Sequence, residues 1–164
     1  MKLSIYTMGG TIDKIYFDDL SEYEVGTPQA GEILREAKAA VEFTVHEVAR
    51  KDSLHLTAQD REALRAAIAA DPGRLALVTH GTDTMTDTAQ ALMDLPGKVI
   101  VFTGALSPAR FKGSDAPFNL GCAVGALQSL PPGVYICMNG LVFEADKVRK
   151  NRAAGRFEAV GPAA

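Results

Sequence analysis

The feature that most constrains this chain is a series of short apolar runs, each closed by glycine or threonine and separated from the next by a helix-length stretch. Leu3 to Thr7 runs into Met8-Gly9-Gly10, Leu75 to Val78 into Thr79-His80-Gly81, Val99 to Phe102 into Thr103-Gly104, and Gly133 to Met138 into Asn139-Gly140. Val41 to Val48 instead alternates, with Val41, Phe43 and Val45 set against Glu42, Thr44 and His46, which predicts a strand with one exposed face. Fully apolar runs of this length are strands buried on both faces. With helices between them, they predict an α/β fold: a three-layer, doubly wound, mostly parallel sheet of the flavodoxin or Rossmann-like kind, in a single domain.

The helices are punctuated in the expected ways. Pro28 precedes a helical stretch running through Ala39. Thr57-x-x-Asp60 resembles a capping signal, with Asp in place of the usual Glu or Gln, before a helix over Arg61 to Ala70 that Asp71-Pro72-Gly73 stops. A helix is expected from about Thr86 to Met93, and another at Pro117, which suits a first-turn position. Asp13 to Gly26 reads as a polar loop rich in Asp and Tyr, Leu106 to Asp115 as a long loop, Asn139-Gly140 as a hairpin turn, and the segment from Glu144 as a polar tail ending in the simple stretch Gly161-Pro-Ala-Ala.

Composition narrows the function classes. At 164 residues the chain fits one domain, and its net charge of −3 with scattered Lys and Arg excludes a nucleic-acid surface. The one modest basic cluster is Lys147, Arg149, Lys150 and Arg152. Cys122 and Cys137 sit in apolar stretches and are expected as free thiols. No leader or membrane-length segment is visible, so a cytoplasmic protein is expected. His46 and His55 lack metal-ligand spacing, so no metal is expected.

Sheets of this kind bind ligands at the carboxyl ends of their strands. Gly9-Gly10-Thr11 follows the first strand and His80-Gly81-Thr82-Asp83 the third. Either could be a mere turn or helix cap. Together they bring two threonines, a carboxylate and free backbone N–H groups to one edge, the parts acyl transfer needs. No G-x-S-x-G elbow or Ser-His-Asp arrangement is present, and His80, beside a glycine, reads as a structural turn residue. A lysine can replace histidine as the base.

Met8-Gly9-Gly10-Thr11-Ile12, His80-Gly81-Thr82-Asp83-Thr84-Met85, and Thr103-Gly104-Ala105 with Ser114-Asp115-Ala116-Pro117-Phe118-Asn119-Leu120 together resemble the bacterial L-asparaginase family, in its N-terminal domain, from about Leu3 to Phe157. The resemblance implies hydrolysis of L-asparagine to aspartate and ammonia by double displacement, without metal or organic cofactor. It implies Thr11 as the flexible-loop nucleophile, Tyr23 as the tyrosine bonded to it, Thr82 and Asp83 as the second threonine and its aspartate, and Lys150 as the lysine that completes their triad. Tyr16 is a rival to Tyr23, and the loop that holds both is a plausible lid. Which threonine attacks first stays open.

Gly10 and Gly81 would line the substrate, and Asp83 would also bind its α-ammonium. Two departures stand out. The family's larger members carry a second domain for which this chain has no room, so residues 1–164 would be an N-terminal-type domain alone. Their Ser-Gln-Asp or Ser-Ser-Asp is replaced by Arg50-Lys51-Asp52-Ser53, where Asp52 could take the aspartate's place and Arg50 or Lys51 the α-carboxylate; a solvated basic turn is the other reading. The family further implies a homo-oligomer, dimer or tetramer. A weak glutaminase activity is expected beside the main one, since one methylene gives little discrimination. The alternative is a catalytically silent or partner-dependent amino-acid-binding subunit of an amidotransferase-type assembly.

Overall fold

The computed structural model describes residues 1–17 and 22–161. Six strands make the central sheet: β1 (Lys2–Gly9), β4 (Glu42–Lys51), β5 (Leu75–Thr79), β6 (Val99–Thr103), β7 (Gly133–Met138) and β8 (Leu141–Glu144). Their order is β4-β1-β5-β6-β7-β8, with every pair parallel except β7 and β8. The five parallel strands therefore run second-first-third-fourth-fifth in chain order, the flavodoxin arrangement, whose switch point lies between the first and third. Here that point is between β1 and β5.

Alternation along each strand feeds two cores. Tyr6, Met8, Val78, Phe102 and Ile136 pack on one face against α2 (Ala58–Ala70) and α3 (Met85–Gln90). Leu3, Ile5, Leu77, Val101 and Cys137 pack on the other against α1 (Ala30–Glu36) and α4 (Ala116–Ser129). Both faces are covered, which is why the central runs read as continuously apolar. β4 is an edge strand with little burial, which accounts for its alternating pattern.

The local signals translate closely. Thr57 and Asp60 form a complete capping box: Asp60 N–H donates to Thr57 Oγ1 at 3.2 Å, and Thr57 N–H donates to Asp60 Oδ2 at 2.8 Å. Asn139 and Gly140, both at positive φ (52° and 84°), turn β7 into β8, as the primed hairpin turn requires. Pro117 lies in the first turn of α4. Cys122 and Cys137 are free thiols.

Three segments differ from expectation. The polar loop from Asp13 to Gly26 holds a hairpin, β2 (Lys14–Phe17) and β3 (Glu22–Val25), with Tyr16 directly opposite Tyr23. The rings pack in a tilted arrangement, 5.2 Å between centroids, and such cross-strand aromatic contacts stabilise a hairpin whose charged residues hide its period. The segment from Glu144 is likewise no plain tail: β9 (Val148–Asn151) and β10 (Arg156–Ala159) form a second hairpin. Val148 and Phe157 anchor it in the core under α3 while its charged residues face outward. The helix after Pro28 is shorter than expected, ending at Glu36, with Lys38 at φ 51°. Of the Gly161-Pro-Ala-Ala stretch, residues 162–164 lie outside the described residues.

Candidate active site

Three turns converge at the carboxyl ends of β4, β1 and β5. The β1 turn enters through Gly10, at φ 88°, whose N–H donates to Lys51 O at 3.0 Å. A Cβ on Gly10 would lie 2.4 Å from Gly81 N, and one on Gly81 would lie 2.7 Å from Ser53 Cβ. Backbone is thus packed on backbone at a distance that only glycine permits. The two candidate nucleophiles, Thr11 and Thr82, each follow one of these touching glycines.

Thr82 is buried and fully wired. Lys150, reaching in from β9, donates from Nζ to Thr82 Oγ1 at 2.7 Å and to Asp83 Oδ1 at 2.7 Å. Its side chain is only 15% exposed, and Arg152 adds a second cation 3.7 Å from the same Asp83 oxygen. An ammonium in contact with both a hydroxyl and a carboxylate resembles the Ser-Lys type of nucleophile–base arrangement.

His80 is excluded from proton transfer by its own bonds. It is fully buried. Arg61 Nε–H donates to Thr88 Oγ1 at 3.0 Å, that hydroxyl lies 2.8 Å from His80 Nε2, and Nδ1 lies 2.7 Å from Gly81 O. The donor order from Arg61 makes Nε2 the acceptor and Nδ1 the N–H that holds the Gly81 carbonyl. Burial lowers the imidazole to about 4, so the ring stays neutral and serves as the brace of the turn.

Thr11 opens a short 3-10 turn ending at Asp13 and is half-buried. Tyr23 and Tyr16 are 53% and 47% exposed, and Tyr23 packs on Tyr16 and on Phe111, 5.9 Å away. Among the described residues neither hydroxyl bonds to Thr11. The two tyrosines lie opposite each other in the hairpin register, so both reach the same side of the hairpin.

The basic stretch after β4 is engaged in ion pairs. Arg50 pairs with Glu47, Lys51 with Asp60, and Asp52 with Lys14. Burial pushes the Asp52 carboxyl up, but the Leu54 N–H and Lys14 outweigh it and hold it below its ordinary value. Arg50, Lys51, Asp52, Lys14 and Tyr23 line a cleft of about 380 Å³ beside the hairpin. Ser53, rather than its basic neighbours, is what this stretch delivers to Gly81; it is buried, and its carbonyl accepts from Thr84 Oγ1 at 2.9 Å. Ser53 escapes a reading of the sequence because the adjoining charges dominate the stretch; the Asp-Ser pair at a turn is its one signal.

The third motif is architectural. Asp115 accepts from Leu106 N and Ser107 N and gathers the long loop. Asn119 donates to Gly104 O at 2.9 Å and accepts from Asn139 N at 3.0 Å, which ties the ends of β6 and β7 together. The loop in turn docks on the Thr11 turn, where Ala109 N–H donates to Ile12 O at 3.1 Å. Among the described residues no His, Cys, Asp or Glu group is assembled to hold a metal ion, and no helix is long and apolar enough to cross a membrane.

Comparison with known proteins agrees with this arrangement. The family model described as Asparaginase, N-terminal matches residues 2–161. The L-asparaginase of Thermococcus kodakarensis is 30% identical over 94% of this chain and 49% of its own length. A glutamyl-tRNA(Gln) amidotransferase component of Archaeoglobus fulgidus is 40% identical over 49% of this chain and 21% of its own. Among solved structures, the thermostable L-asparaginase from T. kodakarensis superposes with a TM-score of 0.84 at 26% identity, over 97% of this chain and 51% of that one. L-asparaginase I from Vibrio cholerae gives 0.83 at 27%, over 96% and 51%. The chain thus spans about half the length of the asparaginases it matches end to end. With nearly all of its described length under the family match, this chain belongs to the asparaginase family, in the part known as the N-terminal domain.

Proposed function

We propose that this chain hydrolyses the side-chain amide of L-asparagine, with a threonine as nucleophile and no cofactor. The observation that carries the reading is the Lys150 ammonium held between Thr82 Oγ1 and Asp83 Oδ1, both at 2.7 Å, beside the turn bearing Thr11. In this reading the Thr11 hydroxyl attacks the amide carbon and the backbone N–H groups around Gly10 and Gly81 hold the oxyanion. The Thr11 hydroxyl proton is relayed through the Thr82–Lys150 pair to the amide nitrogen, the C–N bond breaks and ammonia departs. Water then hydrolyses the acyl-enzyme, its hydroxyl going to the acyl carbon and a proton returning to Thr11. Asp83 binds the substrate's α-ammonium, Tyr23 (or its neighbour Tyr16) swings onto Thr11, and Arg50, Lys51 and Asp52 act at the rim on the α-carboxylate. In this reading the chain works as a cytoplasmic homo-oligomer with weak activity on glutamine.

The test is ammonia release from L-asparagine and L-glutamine by the purified chain, beside Thr11→Ala, Thr82→Ala and Lys150→Met. Turnover of asparagine that collapses in all three supports the two-threonine mechanism. A folded wild type that binds aspartate but turns over neither amide sinks it. The second reading, a partner-dependent subunit, is favoured by the stretch 40% identical to the amidotransferase component; turnover that appears only when a partner chain is added would establish it.

A further inference from the structure

Asp13 is the only fully buried carboxylate among the described residues, 1% exposed, and no cation lies within ion-pair distance of it there. It stands two residues after Thr11 and ends the turn that Thr11 opens. Its backbone N–H donates to Gly10 O at 3.1 Å, its carbonyl accepts from Gly26 N–H at 2.7 Å, and its carboxylate accepts from Gln29 N–H at 2.9 Å. Gly26 and Gln29 follow the last strand of the β2–β3 hairpin, and Asp13 stands just before its first. One residue therefore links the Thr11 turn to the segment that leaves the hairpin bearing Tyr16 and Tyr23.

A buried carboxylate without a counter-ion is unfavourable unless something demands it. The nearest charges act from further away and are occupied elsewhere: Arg50 bonds Glu47, and Arg110 bonds Thr27 Oγ1 at 3.3 Å. Burial pushes Asp13 up to about 7 against the pull of the Gln29 N–H, with Glu47 raising it and Arg50 and Arg110 lowering it. The core would be better served by an apolar residue, as Ile12 beside it already is, so the position is explained by what Asp13 holds.

We propose that Asp13 is a positioning residue for the amide-cleaving reaction: it clamps the Thr11 turn to the hairpin through Gly26 and Gln29 and so sets the nucleophile against the hairpin's tyrosines. This rests on the reading of Thr11 as a reacting group. The Gly26 bond is made by the Asp13 main-chain carbonyl and survives any substitution; the side-chain half is an oxygen acceptor aimed at Gln29 N–H, which Asp13→Asn keeps and Asp13→Ala and the shorter Asp13→Ser lose.

The experiment joins steady-state kinetics to amide hydrogen exchange on the whole chain. Asp13→Ala is expected to lower kcat for L-asparagine at least tenfold with KM within threefold, and Asp13→Asn to restore kcat to within threefold of wild type. Exchange at Gln29 should quicken more than tenfold in Asp13→Ala while Leu77 and Phe102, in the central sheet, keep their protection. Asp13→Ser replaces Asp13→Ala if the latter does not fold. Acceleration at Leu77 and Phe102 equal to that at Gln29, no acceleration at Gln29, or an Asp13→Asn as impaired as Asp13→Ala would each overturn the proposal. If the wild type turns over neither amide, the Thr11 reading fails, and the exchange data still decide whether Asp13 clamps the hairpin.

Discussion

Thr82 and Thr11 stand on neighbouring turns in unlike surroundings. Thr82 is 8% exposed and receives its hydrogen bond from Lys150, which Asp83 holds in place. Thr11 is half-buried, its hydroxyl has no side-chain partner among the described residues, and Tyr16 and Tyr23 on the hairpin that follows it are exposed. On the proposed function, one half of the site is organised for proton transfer before any substrate arrives. The other half is organised only in its backbone, through Gly10, Asp13 and Gln29. Free enzymes often leave catalytic hydrogen bonds unmade until substrate binds, and the contrast suggests that here this applies to one half alone.

The largest effect should come from breaking the wired half. Lys150→Met is expected to lower kcat by about 10²–10⁴ with an unchanged circular dichroism spectrum. Thr82→Ala should do the same, and the double variant should be hardly worse than either, because the groups act as a unit. Losses that multiply in the double variant would refute that coupling.

Next in size is the seam between the halves. Gly10→Ala puts a methyl 2.4 Å from Gly81 N at a φ of 88°, so it should cost about 1–3 kcal/mol of stability along with turnover of the amide. An unshifted thermal midpoint would show that the two turns are not packed as described.

A smaller effect separates the buried titratable groups on the two sides. Folding raises Asp13 from 3.8 to about 7, so between those values the native state binds more protons, and this group's contribution to stability falls as pH rises. Folding lowers His80 from 6.5 to about 4, so across that window the unfolded state binds more protons, and stability rises with pH. Asp13→Asn removes the first slope and leaves the second. Its Tm should match wild type near pH 4 and exceed it above pH 7 by at least ~2 °C; superimposable curves would count against the buried, counter-ion-free Asp13. The smallest effect belongs to the rim, where Arg50→Ala should raise KM for L-asparagine by less than about tenfold, since its charge is exposed and already paired with Glu47.

The sheet was legible in the sequence because burial on both faces writes an unbroken apolar run, as at Val99–Phe102, and the capping box at Thr57 and Asp60 because its bonds are local. The hairpins were not. In β3 the polar and apolar residues of Glu22-Tyr23-Glu24-Val25 do alternate, but the stabilising partner is Tyr16, supplied across the hairpin. In β9 and β10 only Val148 and Phe157 are buried, too sparse a signal among the arginines and lysines. The site divides the same way. Thr11, Thr82, Asp83 and Lys150 stand in motifs that resemble a known family, whereas Ser53 and Asp13 act through backbone contacts that no local pattern announces.

The position of Lys150 has a consequence for the birth of the protein. Thr82 and Lys150 lie 68 residues apart, and ribosomes add roughly 5–20 residues per second. For seconds after both threonines have been made, the lysine whose ammonium meets Thr82 has not yet been added. When it emerges, it must wait for Val148 and Phe157 to seat the β9–β10 hairpin in the core. On the proposed function, a nascent chain stays inert toward amides until that hairpin docks, so this folding step also works as the switch that turns the site on.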